Sequence, residues 1–330
     1  MANNGLWIVN PDTGEDEFVL YSELEHDVRQ KVIKPIGGFI FDAETFMSSN
    51  LARVPFYIKD WLPMRGKAMF YAPPKSGKSY LAVQAARCIA AGEPFLSLPT
   101  QPGRVLYTQF ELGVEVLQQR LLDTHQIYPD VFVGTSFSMK LDTEIGRKQL
   151  LAAMEAVKPK VLILDPMYKA LSGDENESYD VMRILDFLDS LIEGYECSIL
   201  LIHHSGKDPT KRGRGSSVLE DWVDSDIEVK VISKKGEPLK IRIQPIFLRH
   251  AAIPPEPIEA ELSPAFEFEC TTIRTVKQQV LEFITSAHTT VTPKELFDAK
   301  IGSNTSVYTE LDALVKEGRI RKEGRGKYAI

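Results

Sequence analysis

Short apolar runs alternate with amphipathic stretches along the middle of this chain, from residue 54 to residue 272. The apolar runs predict buried strands, and the stretches in which apolar side chains recur roughly every three or four positions predict helices. Strands that alternate with helices are typical of a mostly parallel central sheet covered on both faces. The pattern therefore predicts an α/β domain. Its first strands are expected at 68–71, 105–110, 161–164 and 198–202, and its helices at 81–91, 114–124, 147–157 and 178–192.

Residues 1–53 are weakly patterned and form an N-terminal arm in this prediction. A hairpin is expected from 6–9 and 18–21, and a short helix from 23–32. The arm is expected either to contact a neighbouring subunit or to cap the sheet.

The last part of the chain has two patterns. Alternating β patterns close the middle domain, and residues 273–330 predict a small separate domain of three helices and a β-hairpin that resembles a winged helix. The alternating strands are expected at 227–231, 239–243 and 258–262, with a hairpin turn at 234–236. The helices of the small domain are expected at 276–284, 292–299 and 305–317, and its strands at 319–322 and 327–330.

Composition narrows the class of protein. The chain has 330 residues, 43% of them hydrophobic and 26% charged, which is typical of a soluble globular protein. Its apolar runs are shorter than the roughly 18 residues of a membrane span, and its first residues lack the basic start and apolar core of a signal peptide. Three scattered cysteines, Cys88, Cys197 and Cys270, form no CxxC pair, which argues against a zinc site. We therefore expect a cytoplasmic protein without a membrane partner.

The net charge of −7 is unevenly distributed. Residues 274–330 carry a charge of +3, and the rest of the chain carries −10. A basic tail on an acidic body predicts local contact with DNA and argues against general affinity for nucleic acid.

The most informative stretch reads Ala-Pro-Pro-Lys-Ser-Gly-Lys-Ser over residues 72–79, between the first predicted strand and the first predicted helix of the middle domain. Strand, loop, Gly-Lys-Ser and helix in this order indicate a P-loop. In such a loop, backbone N–H groups and the positive end of the helix surround a phosphate chain. Lys78 is expected to reach the β- and γ-phosphates, and the hydroxyl of Ser79 to hold Mg²⁺.

The P-loop departs from its usual pattern at one position. Ala72 replaces the first glycine, and Pro73 and Pro74 stiffen the loop while removing two N–H donors. The predicted cofactors are ATP and Mg²⁺. The predicted nucleotide-binding residues are Ala72, Pro73, Pro74, Lys75, Ser76, Gly77, Lys78, Ser79 and Tyr80.

Two acidic residues follow predicted strands, whose carboxyl ends form the ligand-binding edge of such a sheet. Asp165 ends the apolar run 161–164, as in a Walker B motif, and is expected to hold Mg²⁺ through a water. A turn aspartate before Pro166 is the alternative. Glu111 follows 105–110 and is a candidate to polarise the attacking water, with a glutamate favoured by a helix N-terminus as the alternative.

His203 and His204 end the next predicted strand. One of them is expected to sense the γ-phosphate and to relay its loss to the loop that follows; a structural role is the alternative. That loop, over 205–217, is basic and rich in glycine, which favours binding to a DNA backbone over a merely solvated surface loop. Its predicted DNA-binding side chains are Lys207, Lys211, Arg212 and Arg214.

The motifs occur in one order along 54–270: residues 72–79, 110–112, 162–166, 174–176, 202–205 and 214–217. This series resembles the RepA-type hexameric helicases of plasmids and phages, relatives of the DnaB and RecA ATPases. The resemblance implies a RecA-like core and a hexameric ring with ATP at the subunit interfaces. It matches Glu111 to the catalytic glutamate and Asp165 to the Walker B aspartate. It also matches His203 and His204 to the sensor motif, and 205–217 to the loop that faces DNA.

The resemblance further implies an arginine finger, a basic residue that reaches into the neighbouring subunit's site. Arg249 is the best match, although the lysine that often stands two residues earlier is Phe247 here. Arg214 is the second candidate, and a surface arginine is the alternative for Arg249. The predicted catalytic residues are Lys78, Glu111, Asp165, His204 and Arg249.

The C-terminal domain resembles winged-helix modules that bind DNA with their third helix and their wing. The modest charge of this domain, and acidic residues on its third helix, make docking of a protein partner the alternative. The expected DNA contacts are Ser303, Asn304, Thr305, Arg321, Lys322, Arg325 and Lys327, whereas Val307, Leu311 and Leu314 are expected in the core.

Together these features predict an ATP-dependent DNA motor, most like a RepA-type helicase acting in replication. Its expected partners are single-stranded DNA, further copies of itself and, through the winged helix, other replication proteins. Two alternatives are a RecA-like recombination or annealing ATPase that forms filaments, and an ATP-gated winged-helix regulator. A small-molecule kinase leaves the basic loop and the C-terminal domain without a role.

Overall fold

The computed structural model describes residues 5–9, 16–20, 40–48, 55–172, 178–204, 214–251, 255–271, 276–287, 290–299, 301–324 and 326–330. The chain divides into two compact units, Met1–Cys270 and Thr271–Ile330. The predicted helix at 23–32 lies outside the described residues, and the function of the N-terminal arm stays a prediction. None of the described helices is both long enough and apolar enough to cross a membrane.

The first unit consists of strands and helices, which alternate through its middle part. Its strands are β1 (Gly5–Val9), β2 (Asp16–Leu20), β3 (Phe56–Ile58), β4 (Leu62–Pro63), β5 (Lys67–Ala72), β6 (Val105–Gln109), β7 (Val131–Thr135), β8 (Val161–Asp165), β9 (Ser198–His204), β10 (Ser225–Val231), β11 (Lys240–Leu248), β12 (Ile258–Leu262) and β13 (Phe268–Cys270). Its helices are α1 (Ala43–Ser48), α2 (Lys78–Ala91), α3 (Val114–Asp123), α4 (Glu144–Val157), α5 (Ser178–Tyr195) and α6 (Arg214–Trp222), with a 3₁₀ helix at Met167–Ala170.

A nine-stranded sheet in the order β13–β12–β11–β10–β5–β9–β8–β6–β7 forms the centre of this unit. The strands from β10 to β7 are paired in parallel, and β11, β12 and β13 extend the sheet as antiparallel strands. The predicted α/β fold with a mostly parallel central sheet is confirmed. Strand ends are in register at one edge, where Ala72 is paired with His204 and Gln109 with Asp165. The functional side chains predicted at these ends are thereby brought together.

Strand β8 shows how the apolar pattern produces this layered core. Val161 and Ile163 pack in the apolar cluster that includes α2, whereas Leu162 and Leu164 pack in the cluster that includes α5. Successive side chains of a strand point to opposite faces of the sheet. A strand covered by helices on both faces is therefore apolar at every position, as β8 is up to Asp165.

The predicted loop over 205–217 is wrong for its last four residues, because helix α6 begins at Arg214. Val218, Leu219 and Trp222 recur at helical spacing and pack with the apolar cluster that includes α5. Their burial stabilises a helix whose polar first turn has the composition of a loop. The rest of the predicted loop lies outside the described residues.

The hairpin β12–β13 packs along the side of α2. Nε2 of Gln84 donates to the carbonyl of Phe268 at 2.9 Å, and the N–H of Phe268 donates to Oε1 of Gln84 at 2.9 Å. Next to this pair, Nε of Arg87 lies 2.7 Å from Oε1 of Glu267, and the same guanidinium also pairs with Glu93. The last strand of the unit is thus joined to the helix that follows the P-loop.

The second unit contains the helices and the hairpin that the sequence predicts. They are α7 (Val276–Ala287), α8 (Pro293–Asp298), α9 (Asn304–Lys316), β14 (Arg321–Lys322) and β15 (Tyr328–Ala329). Thr292 caps α8 in a capping box with Glu295, and Ser303 caps α9. The predicted core residues of α9 are buried: Val307, Leu311 and Leu314. The winged-helix assignment stays a prediction.

Candidate active site

The P-loop connects β5 to α2 over residues 73–77. Lys75 and Gly77 have φ angles of 62° and 81°, so the backbone turns at these two positions. Ala72 is fully buried at the end of β5 and has no positive φ, which explains why alanine replaces the usual glycine there. A Cβ on Gly77 would lie 2.7 Å from Cζ of Phe268, so Gly77 is needed both for its conformation and for space.

Lys78, the first residue of α2, lies at the centre of the site and is only 5% exposed. Its ammonium donates to the carbonyls of Ala72 at 2.9 Å and Pro73 at 2.8 Å, and lies 3.2 Å from Nδ1 of His204. No carboxylate in the described part of the chain forms an ion pair with it. The contact with His204 arises because β9 lies directly beside β5 in the sheet.

The environment of Lys78 suits an anionic ligand. Burial lowers the pKa of Lys78 to about 8, against the opposing charges of Asp165 and Glu111. The hydroxyl of Ser76, in the same loop, is buried and has no hydrogen-bond partner among the described residues. A buried ammonium bonded to neutral acceptors and an unpartnered hydroxyl both fit the oxygens of a phosphate chain.

Asp165 ends β8 and is 2% exposed. Its Oδ2 accepts hydrogen bonds from the hydroxyl of Tyr107 at 2.6 Å and from Nε2 of Gln109 at 3.4 Å. Ser79 lies close enough to this carboxylate for its hydroxyl to favour the ionised form. Burial raises the pKa of Asp165, and the hydroxyls of Tyr107 and Ser79 oppose that rise.

The oxygens of Ser79 and Asp165 lie close together and fit a magnesium ion, which prefers oxygen ligands and commonly keeps several waters. No group of three or more His, Cys, Asp or Glu side chains among the described residues is arranged to hold a metal. The protein would therefore contribute a hydroxyl and a carboxylate, and the phosphates of a nucleotide and water would complete the set.

Glu111 lies in the connection between β6 and α3. Because α3 begins only at Val114, Glu111 lies outside its first turn. Glu111 therefore does not have the alternative role of a glutamate in the first turn of a helix. Its backbone N–H donates to Oε1 of Gln109 at 2.5 Å, and its carboxylate accepts a hydrogen bond from the hydroxyl of Tyr168. Gln109 therefore connects the exposed Glu111 to the buried Asp165.

The two histidines at the end of β9 have different surroundings. The ring of His204 meets the ring of Tyr168 edge-on at 5.0 Å, and burial and the charge of Lys78 lower its pKa. His203 is 6% exposed and stacks on Tyr71, with centroids 5.9 Å apart. Burial lowers the pKa of His203 to about 4. His204 thus lies in the site, whereas His203 is a neutral side chain within the sheet.

Comparison with known families agrees with this geometry. The AAA domain family known as AAA_25 matches residues 41–210, which is more than half of the chain. The chain belongs to the AAA domain family. A KaiC-like protein of the hyperthermophilic archaeon Pyrococcus horikoshii OT3 has a similar structure, with a TM-score of 0.50 and 12% sequence identity over 66% of this chain and 98% of that chain. At this identity the likeness shows the fold alone, an α/β domain with a mostly parallel central sheet.

Arg249 lies far from the P-loop of its own chain. Its Nη1 is 3.3 Å from Oδ1 of Asp224, whose other carboxylate oxygen accepts the N–H of Lys67 at 2.9 Å. Lys67 begins β5, and the P-loop follows the opposite end of that strand. Nη2 of Arg249 also donates to the carbonyl of Asp221 at 3.1 Å, near the negative end of α6. Action in a neighbouring copy's site stays a prediction.

The predicted DNA-binding residues fall into two groups. In the second unit, six of them are exposed: Ser303, Asn304, Thr305, Arg321, Lys322 and Lys327. Arg214 is the first residue of α6 in the first unit. The others lie outside the described residues: Lys207, Lys211, Arg212 and Arg325.

Three residues in the site of the AAA domain do not stand out in the sequence: Tyr107, Gln109 and Tyr168. Tyr107 reads as an ordinary core residue of an apolar strand. Gln109 offers a signal, since a buried strand that ends in a glutamine needs a polar partner for its amide. Tyr168 follows Asp165 closely in sequence, but its contact with Glu111 depends on the order of the strands.

Proposed function

We propose that this AAA domain protein is an ATP-dependent DNA motor, similar in action to the RepA-type hexameric helicases. The proposal rests on one observation: Lys78, Asp165 and Glu111 lie near each other at the edge of the sheet where the parallel strands end. The strands β5, β9, β8 and β6 are neighbours there. Hydrolysis of a nucleoside triphosphate requires a cation for the phosphates, a metal-binding carboxylate and a group that orients water.

In this proposal each side chain has a defined task. The P-loop binds the phosphate chain of ATP, with Lys78 on its β- and γ-phosphates. Ser79 and Asp165 would hold Mg²⁺, which would neutralise charge that develops on the transferred phosphoryl group. Glu111 accepts a proton from the attacking water.

In the proposal, the ATP site is connected to DNA through the protein segment that follows His204. His204 contacts Lys78, and the basic segment that follows His204 contains Lys207, Lys211 and Arg212. Loss of the γ-phosphate would change the surroundings of Lys78 and His204, and this change would pass directly into that segment. Basic side chains on a short segment suit a single-stranded backbone.

The proposed assembly is a homo-oligomer, in keeping with the position of Arg249. Because Arg249 lies at the edge of the sheet opposite its own P-loop, it would complete only the site of a neighbouring copy. Such a contact joins two different surfaces of identical chains, which generates a ring where the rotation closes and a filament where it does not.

The test is ATP hydrolysis by the full chain with and without single-stranded DNA. We expect the DNA to raise kcat severalfold, and we expect Lys78→Ala to abolish hydrolysis because the P-loop loses its buried ammonium. Lys59→Ala, which removes an exposed lysine of the same unit, is the matched control and should behave like the wild type.

Three outcomes would contradict the proposal or favour one of its alternatives. A rate of hydrolysis that single-stranded DNA leaves unchanged would contradict the motor. Filaments in electron micrographs, with annealing but no unwinding of forked duplexes, would favour the recombination ATPase. Tight sequence-specific binding to duplex DNA, lost when ATP is hydrolysed, would favour the regulator.

A further inference from the structure

Tyr168 lies where the metal-binding and water-orienting parts of the site meet. It belongs to the 3₁₀ helix Met167–Ala170, which begins just after Asp165 and Pro166. Its hydroxyl donates to Oε1 of Glu111, from a different strand connection. This side chain therefore joins the end of β8 to the loop after β6.

The ring of Tyr168 has a second contact in the site. It meets the ring of His204 edge-on, with centroids 5.0 Å apart and an angle of 86° between the planes. His204 in turn lies 3.2 Å from the ammonium of Lys78. A continuous set of contacts therefore runs from the phosphate-binding lysine through His204 and Tyr168 to Glu111.

Glu111 needs such a contact because it is exposed and lies outside regular structure. A glutamate side chain in this position has many rotamers, and only a few of them direct the carboxylate towards a water at the γ-phosphate. Gln109 fixes the backbone N–H of Glu111, but it does not orient the carboxylate. The hydroxyl of Tyr168 provides that second point of attachment.

We propose that Tyr168 is a positioning residue that holds the carboxylate of Glu111 in its working orientation, an inference that rests on the proposed ATP hydrolysis. In that reaction the oxygen of water bonds to the γ-phosphorus, the bond from this phosphorus to the bridging oxygen of ADP breaks, and a proton of the water passes to Glu111. Tyr168 takes no proton in this step.

The experiment compares Tyr168→Phe with the wild type in steady-state hydrolysis without DNA. We expect kcat to fall about tenfold, because a freed carboxylate is rarely oriented correctly, and KM to change less than about twofold. Tyr128→Phe is the matched control: it deletes the hydroxyl of another partly buried tyrosine, which bonds to Thr124 at 2.8 Å. This control should leave kcat unchanged.

A double-mutant cycle separates positioning from a merely structural effect. In a Glu111→Gln background, measured in single turnovers, Tyr168→Phe should cause no further loss of rate, since it acts through Glu111. Independent losses that multiply would overturn the inference, and so would a wild-type kcat for Tyr168→Phe. A loss of rate accompanied by a lower Tm or weaker nucleotide binding would overturn it as well.

The inference and the proposed function fail in different measurements. Hydrolysis that single-stranded DNA does not stimulate contradicts the motor, but the comparison of Tyr168→Phe with the wild type uses basal hydrolysis and is still decisive. A wild-type chain without any ATP hydrolysis would overturn both.

Discussion

Lys78 shows how a single residue is prepared for its ligand. Its ammonium is buried and is held by two carbonyl oxygens and by Nδ1 of His204. Burial lowers its pKa from 10.5 to about 8, because the charged form loses hydration. The phosphates of a bound nucleotide would restore the favourable surroundings of the charge and raise the pKa again.

This pKa predicts how nucleotide affinity depends on pH. Above pH 8 the free protein loses the proton of Lys78, whereas the complex keeps it, so binding must take up a proton. The affinity for ATP should therefore fall as pH rises above 8, by at most about tenfold per pH unit. Calorimetric titrations in two buffers of different ionisation enthalpy would measure both the affinity and the proton uptake.

Lys78→Arg is the control for this prediction, since a guanidinium does not titrate in this range. Its affinity for ATP should be weaker but should not change over the same pH range. Proton uptake by Lys78→Arg equal to that of the wild type would assign the titration to another group.

Much of the site can be predicted from single residues of the sequence, because the expected functional residues lie at or just after the ends of strands with a clear apolar pattern. Lys78, Asp165 and Glu111 are of this kind. Tyr168 is different, since its hydroxyl reaches Glu111 only because β8 and β6 are neighbours in the sheet. The order of strands is set by packing of the whole domain, which the pattern along the chain does not contain.

The hairpin β12–β13 is distant from the P-loop in sequence but contacts both the loop and the helix that follows it. Both polar groups of the Gln84 amide bond to the backbone of Phe268, and the ring of Phe268 packs beside Gly77. These bonds replace pairing with a further strand for a short edge strand of the sheet. We therefore expect the stability of the P-loop and of this hairpin to be coupled.

Gln84→Leu should destabilise the first unit by about 3 kcal/mol, because it leaves a buried N–H and a buried carbonyl of Phe268 without partners. Urea unfolding followed by tryptophan fluorescence measures this unit, since all three tryptophans lie in it: Trp7, Trp61 and Trp222. Gln119→Leu, at an exposed glutamine of α3 that bonds to Asp123, is the control and should have a change within about 0.5 kcal/mol. Equal effects of the two substitutions would contradict the coupling.

The elements that the sequence does not predict depend on contacts distant in the chain. Strand β7 has only a short apolar run, 131–133, which Gly134 interrupts, and Phe132 and Val133 are exposed. It is a strand because its backbone pairs with β6 at the edge of the sheet. Buried strands such as β8 are predicted from their apolar side chains, whereas β7 is defined by its hydrogen bonds.

For the whole molecule, the position of Arg249 bears on how copies of the chain assemble. Arg249 pairs with Asp224 beside the start of β5, at the edge of the sheet opposite the P-loop. If a neighbouring copy supplies this arginine, each active site contains residues of two chains. Two different defective chains would then complement each other.

Mixing Lys78→Ala and Arg249→Ala chains tests this arrangement. Each variant alone should be inactive, the first in its own P-loop and the second in its neighbour's site. After subunits exchange, about a quarter of the interfaces should pair an intact Lys78 with an intact Arg249, and the mixture should recover about that share of ATP hydrolysis. Activity of the mixture relative to each variant is the measurement.

Arg242→Ala is the matched control, because Arg242 is an exposed arginine of β11 that pairs with Glu259. This variant should hydrolyse ATP normally by itself. An inactive mixture would mean that Arg249 supports its own chain, where it bonds to Asp221 near the end of α6. Normal activity of Arg249→Ala alone would remove it from the site altogether.

The connection between the two units has a mechanical consequence. Cys270 is the last residue of β13 and of the first unit, so tension applied to the second unit is transmitted along the backbone into a three-residue strand. That strand carries Phe268, which is bonded to Gln84 of α2 and packs beside Gly77. A displacement of this strand would therefore be transmitted to the phosphate-binding loop through the ring of Phe268.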